Sequence, residues 1–184
     1  MSRLKAVIYA AVMCAIFGVP AATSATQNEV SDFAVKAAYL SKFGGFIRWP
    51  DAAFSSETSP ITICVIGDSP VASALEKVAS GRQGGQRPIV ARNIKTVSID
   101  SGCHILFTGD SDAARVAQIL NTLRGSGVLT VTDLPKTAET PAVINFVIKE
   151  NHVRFEIDEQ AAFENGLAIS SQLLGLAVSV KTRG

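Results

Sequence analysis

Ile61-Thr62-Ile63-Cys64-Val65-Ile66 is an unbroken, mostly β-branched run that stops at Gly67-Asp68. It shows no apolar–polar alternation, so it has no face to turn toward water and reads as a strand buried on both sides. Ser69-Pro70 follows as N-cap and first helical residue, with Val71, Leu75 and Val78 at helical spacing behind them. Gly81 to Pro88 is a glycine-rich loop, and Ile89 to Ile94 makes a second strand. Cys103 opens a third, His104-Ile105-Leu106-Phe107-Thr108. Gly109-Asp110-Ser111 then turns into a helix carrying Ala114, Val116, Ile119, Leu120 and Leu123. That helix stops near Gly125, before a fourth strand from Val128 to Thr132. The order strand–helix–strand–strand–helix–strand predicts a layered α/β domain with parallel pairing at its centre.

The flanks are read in the same way. From Phe33, the residues Ala37, Leu40, Gly44 and Ile47 continue one helical stripe, which Tyr39, Phe43 and Phe46 widen. The polar stretch 26–32 before it is expected to fray, and Trp49-Pro50 is expected to end the helix. Gly44-Gly45 weaken that helix by about 1 kcal/mol each, which implies a close-packed neighbour. Near the other end, Val143–Ile148 and Val153–Ile157 are two β runs separated by Lys149-Glu150-Asn151-His152, the pattern of an antiparallel hairpin. In the second run Arg154, Glu156 and Asp158 alternate with apolar residues, so one face is wet. Asp158 caps a short helix ending at Gly166, and Ser170-Ser171 is expected to start a last helix through Leu173, Leu174, Leu176 and Val180. The predicted fold is therefore a single α/β domain. Its central mixed sheet has parallel core strands and a C-terminal antiparallel hairpin, flanked by helices.

The first 25 residues have the layout of a secretory signal: Arg3 and Lys5, an apolar run from Ala6 to Val19, Pro20, and the small residues Ala22-Thr23-Ser24-Ala25. The apolar run is shorter than the roughly 20 residues a membrane span needs, which argues against an uncleaved anchor. Residues 1–25 are thus expected to leave and residues 26–184 to form the exported domain, in the periplasm. Loss of Arg3 and Lys5 moves the formal charge from +1 to −1, and nothing resembles the basic footprint of a nucleic-acid binder. Cys14 would depart with the signal. Cys64 and Cys103 remain, an even pair in an oxidising compartment, where a disulfide is the natural inference and two buried free thiols the alternative. Closing a loop of about 40 residues is worth roughly 4 kcal/mol at most.

No catalytic constellation stands out. The strand-to-helix turns Gly67-Asp68-Ser69-Pro70 and Gly109-Asp110-Ser111-Asp112 could present backbone N–H groups to an anion. They lack the three-glycine dinucleotide pattern and the phosphate-loop ending, so ordinary capped turns account for them as well. In a doubly wound sheet both would share the edge where such folds bind ligands. In the glycine-rich loop, Arg82 and Arg87 could hold a phosphate or carboxylate, or be solvated. His104 and His152 are the only histidines, and no Cys/His spacing completes a metal site. No Gly-x-Ser-x-Gly elbow is present. The reading is of a binding protein without cofactor or metal, not an enzyme.

The ordered set of motifs resembles the YfiR family of periplasmic proteins. It comprises Val35-Lys36-Ala37-Ala38-Tyr39-Leu40 through Trp49-Pro50, Ile61 to Asp68, Arg87-Pro88-Ile89-Val90, Gly102 to Phe107, Val128 to Asp133, Ile144-Asn145-Phe146, Val153 to Ile157 and Gly166 to Leu174. The resemblance implies a repressor that binds the periplasmic sensor portion of an inner-membrane diguanylate cyclase, lowering cyclic di-GMP and biofilm formation. An outer-membrane lipoprotein releases the cyclase by sequestering the repressor. It also implies a homodimer and a disulfide between Cys64 and Cys103. Some members carry a second disulfide near the hairpin; this chain has no cysteine after Cys103, which excludes redox control through a second bond. The expected partner surface is the broad helix face (Tyr39, Phe43, Phe46) or the wet hairpin face (Arg154, Glu156), against the alternatives of core packing and a solvated face. The competing function is a small-ligand sensor using Asp68, Ser69, Arg82, Arg87, Asp110 and Ser111.

Overall fold

A computed structural model describes residues 24–67, 69–80, 87–109, 112–135 and 141–183. In chain order the elements are α1 (Ser24–Phe43), β1 (Ile47–Arg48), β2 (Ile61–Ile66), α2 (Pro70–Ser80), β3 (Ile89–Ile94), β4 (Ile105–Thr108) and α3 (Ala113–Thr122). There follow β5 (Leu129–Thr132), β6 (Ile144–Lys149), β7 (His152–Asp158), α4 (Glu159–Glu164), β8 (Ala168–Ile169), α5 (Ser171–Leu174) and β9 (Ser179–Lys181). Seven strands form one sheet in the order β3-β2-β4-β5-β6-β7-β9. Pairing is parallel from β3 across to β6, antiparallel between β6 and β7, and parallel again between β7 and β9. The expected α/β domain with a mixed central sheet is the fold observed.

Alternation along β2 explains how an all-apolar strand is satisfied. Ile61, Ile63 and Val65 join Ile105, Phe107, Leu129 and Val131 against Ala37, Leu40 and Phe43 of α1 and Val71 and Leu75 of α2. Cys64, Ile66 and Leu106 face the other way, against Leu123 and Val128 beyond α3. Both faces are therefore dry, as the run requires. Cys64 and Cys103 are joined by a disulfide with their Cα atoms 5.7 Å apart. Asp112 caps α3 by accepting the N–H groups of Ala114 (3.0 Å) and Arg115 (3.2 Å). Asp158 caps α4 by accepting that of Ala161 (2.9 Å). The hairpin turns at Glu150 (φ 51) and Asn151 (φ 60), the two positive dihedrals that a two-residue connection needs.

Three boundaries differ from expectation, and at the last two tertiary partners outweigh local pattern. The first helix already includes residues 26–32, and it ends at Phe43 rather than running to Trp49. At Gly44 the backbone comes so close to β2 that a Cβ would lie 2.7 Å from Ile61 Cδ1. The chain then passes through a 3₁₀ turn at Gly44–Phe46 into β1, which pairs antiparallel with β8 through Ile47 opposite Ile169 and Arg48 opposite Ala168. The last expected helix stops at Leu174. Val180 lies instead in β9 opposite Ile157, supplying partners to backbone groups that β7 would otherwise leave open at its edge.

Candidate functional site

The aromatic face of α1 is mostly spent inside the protein. Phe43 is 1% exposed; its ring stacks on Tyr39 (centroids 5.9 Å apart) and meets Phe155 edge-on at 5.3 Å. Tyr39 also touches Phe155 edge-on at 5.4 Å and Phe146 at 6.1 Å. These aromatic pairs bind α1 to the hairpin from beneath. Phe43 is thereby withdrawn from the expected partner surface, because a side chain buried in the domain's own core has nothing left to offer. Tyr39 and Phe46 are half-buried and packed against the core. Phe46 reaches a shallow cavity of about 390 Å³ beside Arg48, Ala168 and Ile169.

The hairpin supplies the open face. Arg154 is exposed opposite Val147, and Glu156 is half-buried opposite Asn145. Glu156 lines a groove of about 740 Å³ with Lys36, Asp133, Pro135, Ile148 and Ser179. On its wall the Lys36 ammonium donates to the Asp133 carboxylate at 3.0 Å, while Ile148 is 57% exposed. Of the candidate residues only Glu156 lines this groove of mixed charge and apolar lip; α1 borders it through Lys36 and not through Tyr39, Phe43 or Phe46. Asp158 has an internal role: besides capping α4 it accepts a 2.9 Å hydrogen bond from Lys181. That bond, with the charge of the same carboxylate, raises the Lys181 ammonium above its ordinary value of 10.5.

The ligand-binding residues fare differently. The two strand-to-helix turns do meet at one edge of the sheet, since a Cβ at Gly109 would lie 2.9 Å from Ser69 Oγ. Ser69, however, is occupied as the cap of α2, accepting the Val71 N–H at 3.3 Å. Arg87 donates to the carbonyls of Ser56 (2.8 Å) and Ser59 (2.9 Å) and lies on the Phe54 ring at 3.9 Å. It therefore holds the loop before β2 in place. Asp68, Arg82, Asp110 and Ser111 lie outside the described residues. Among the described residues no group of three His, Cys, Asp or Glu side chains could hold a metal ion.

Sequence reasoning passed over His104 as an isolated strand-edge histidine. The Thr62 N–H donates to its Nδ1 at 3.1 Å, and its Nε2 bonds the Ala53 carbonyl at 2.9 Å. The available signal was its position next to Cys103, whose bond to Cys64 sets His104 beside β2.

A family model described as YfiR/HmsC-like matches residues 33–178, most of the chain. The chain belongs to the YfiR/HmsC-like family. The YfiR/HmsC-like family is one of regulators in diguanylate cyclase signalling. No curated protein matches the chain. Among solved structures it is similar in fold to the ABC domain from Streptococcus pneumonia crystallised in complex with L-Trp, with a TM-score of 0.53 and 10% identity. That likeness covers 81% of this chain and 60% of the other, and at such identity it speaks for the fold alone. No helix among the described residues is long and apolar enough to cross a membrane.

Proposed function

We propose that this YfiR/HmsC-like protein is exported to the periplasm and there binds and restrains an inner-membrane diguanylate cyclase, lowering cyclic di-GMP and biofilm formation. The family match over residues 33–178 carries the proposal. The signal-like residues 1–25 and the disulfide, which suits an oxidising compartment, support it. Inhibition here means binding one state of the cyclase better than the other, since a ligand shifts an equilibrium only by its differential affinity. The surface we assign to the cyclase's sensor portion is the hairpin face with the groove beside it. Lys36 and Glu156 supply charge to the groove, Ile148 an apolar contact, and Tyr39 packs against Phe146 of its lining, while Arg154 extends the charged hairpin face beside it. An outer-membrane lipoprotein competing for the repressor would relieve the restraint, and a homodimer would present two such faces.

Affinity capture from detergent-solubilised membranes, with cellular cyclic di-GMP measured beside it, tests this. Co-purification of a membrane cyclase and a rise of cyclic di-GMP on gene deletion are expected. Unchanged cyclic di-GMP with no cyclase captured would refute the proposal. The competing ligand-sensor reading finds Ser69 and Arg87 already engaged within the domain.

A further inference from the structure

His104 stands where three parts of the fold meet: the start of β4, the start of β2, and the segment of residues 51–60 that crosses them. An amide N–H can only donate, so the bond from Thr62 N–H requires a bare Nδ1. The ring is then neutral, its proton sits on Nε2, and that Nε2–H donates to the Ala53 carbonyl. Both ring nitrogens are thereby committed to backbone groups, one on each side of the junction.

The ring plane is committed as well. His104 stacks on Phe54 with centroids 4.4 Å apart and planes 9° from parallel. Arg87 Cζ lies 3.9 Å from the same Phe54 centroid. Two flat groups this close to one ring cannot share a face, so Phe54 is held between imidazole and guanidinium. Trp49 meets Phe54 and His104 edge-on, at 5.7 and 6.3 Å. Trp49, Phe54 and Arg87, with Asp51, Glu57 and Ile61, wall a cavity of about 500 Å³.

We infer that His104 is a proton-operated latch on segment 51–60: neutral, it holds the segment against the sheet; protonated at Nδ1, it releases it and widens the solvent-facing hollow walled by Trp49, Phe54 and Arg87. Protonation turns the only acceptor on the ring into a donor facing the Thr62 N–H, and two donors cannot bond. It also puts a second cation against the Phe54 ring that already carries Arg87, and one quadrupole must then serve both. The other charged groups about the cavity are Arg48, which opposes a further positive charge, and Asp51 and Glu57, which favour it. His104 is part-exposed, so protons reach it from solvent. Closed segment and bound proton exclude each other; by reciprocity, whatever docks on the closed segment expels the proton.

The chain carries its own reporter. Trp49 is the only tryptophan, and its buried Nε1–H has no hydrogen-bond partner. Opening wets that group and shifts its emission to the red, whereas simple quenching by an imidazolium lowers intensity without a shift. The full chain is titrated from about pH 8 to about pH 5, the interval in which histidine ordinarily changes charge. Tryptophan emission is followed, and exchange of the Thr62 amide is measured relative to its strand neighbours to cancel the intrinsic effect of pH. A red shift is expected, with relative Thr62 exchange rising about tenfold, the factor matching one hydrogen bond's net contribution. His104→Asn, which offers an oxygen near the Nδ1 position, should remove both changes, as should His104→Gln. His152→Gln should keep them. Wild-type emission that dims without shifting while Thr62 stays protected overturns the latch, and so does a transition that survives in His104→Asn. The wild-type measurements alone decide the matter if the variants fold poorly.

Discussion

Asn165 reaches back 40 residues to Gly125: its Oδ1 accepts the Gly125 N–H at 2.8 Å, and its Nδ2 donates to the Val128 carbonyl at 3.4 Å. The amide is 7% exposed and ties the end of α4 to the turn that leads into β5. Asn165→Ala leaves both backbone groups without their partner and should cost about 2 kcal/mol, read as a lowered urea midpoint with unchanged slope. Asn165→Asp keeps the acceptor but sets a buried carboxylate oxygen against the Val128 carbonyl, so a loss at least as large is expected at neutral pH.

The disulfide should act on stability and not as a control element. Cys64 is fully buried, and the bond spans 39 positions. The double change Cys64→Ala and Cys103→Ala should lower unfolding free energy by up to about 4 kcal/mol, mostly by freeing the unfolded chain. Denaturation with and without reductant measures this. On the proposed function, restraint of a cyclase should survive in molecules that remain folded, and reversible toggling by reductant would refute the structural role.

Core and surface separate cleanly in one pair of substitutions. Phe43→Ala removes a fully enclosed ring and should cost about 3–5 kcal/mol, seen as loss of the folded state at moderate temperature. Arg154→Glu sits on the open hairpin face and should change stability by no more than about 0.5 kcal/mol. On the proposed function its effect falls on partner binding, and reduced capture of a membrane cyclase is expected.

Asp158 serves a helix and a strand at once, so two variants divide its roles. Asp158→Ala removes the cap on Ala161 and should cost about 1 kcal/mol. In the native protein the Lys181 ammonium is raised above 10.5 chiefly by its hydrogen bond to Asp158. This pairing is fully present below the unfolded lysine value and is lost as pH climbs through the raised one. NMR titration of the Lys181 side chain in wild type and in Asp158→Asn should show the variant titrating at lower pH.

Sheet and helices were legible where local pattern and burial agree. The run Ile61–Ile66 has no polar alternation and is indeed covered on both faces, and Ser69-Pro70, Asp158 and Glu150-Asn151 carry chemistry that local geometry uses directly. The ladder between β1 and β8 was not legible, because two residues per strand leave no period to read. Strand β9 was missed for a related reason: Val180 follows a helical run of leucines, and only the open edge of β7 draws it into the sheet. At the candidate site, the alternation of Arg154 and Glu156 foretold an outward face. The depth of Phe43 and the ring of contacts around His104 depend on partners far away in the chain.

Because the Cys64–Cys103 bond brackets α2 and β3, the chain between the two cysteines is a covalently closed loop. A single cut by a protease anywhere from residue 65 to 102 leaves both fragments on one molecule, with β2 and β4 still side by side. Such a nick changes migration on a gel only after reduction. In a compartment rich in proteases, the protein can absorb an injury on that side of the sheet without losing mass.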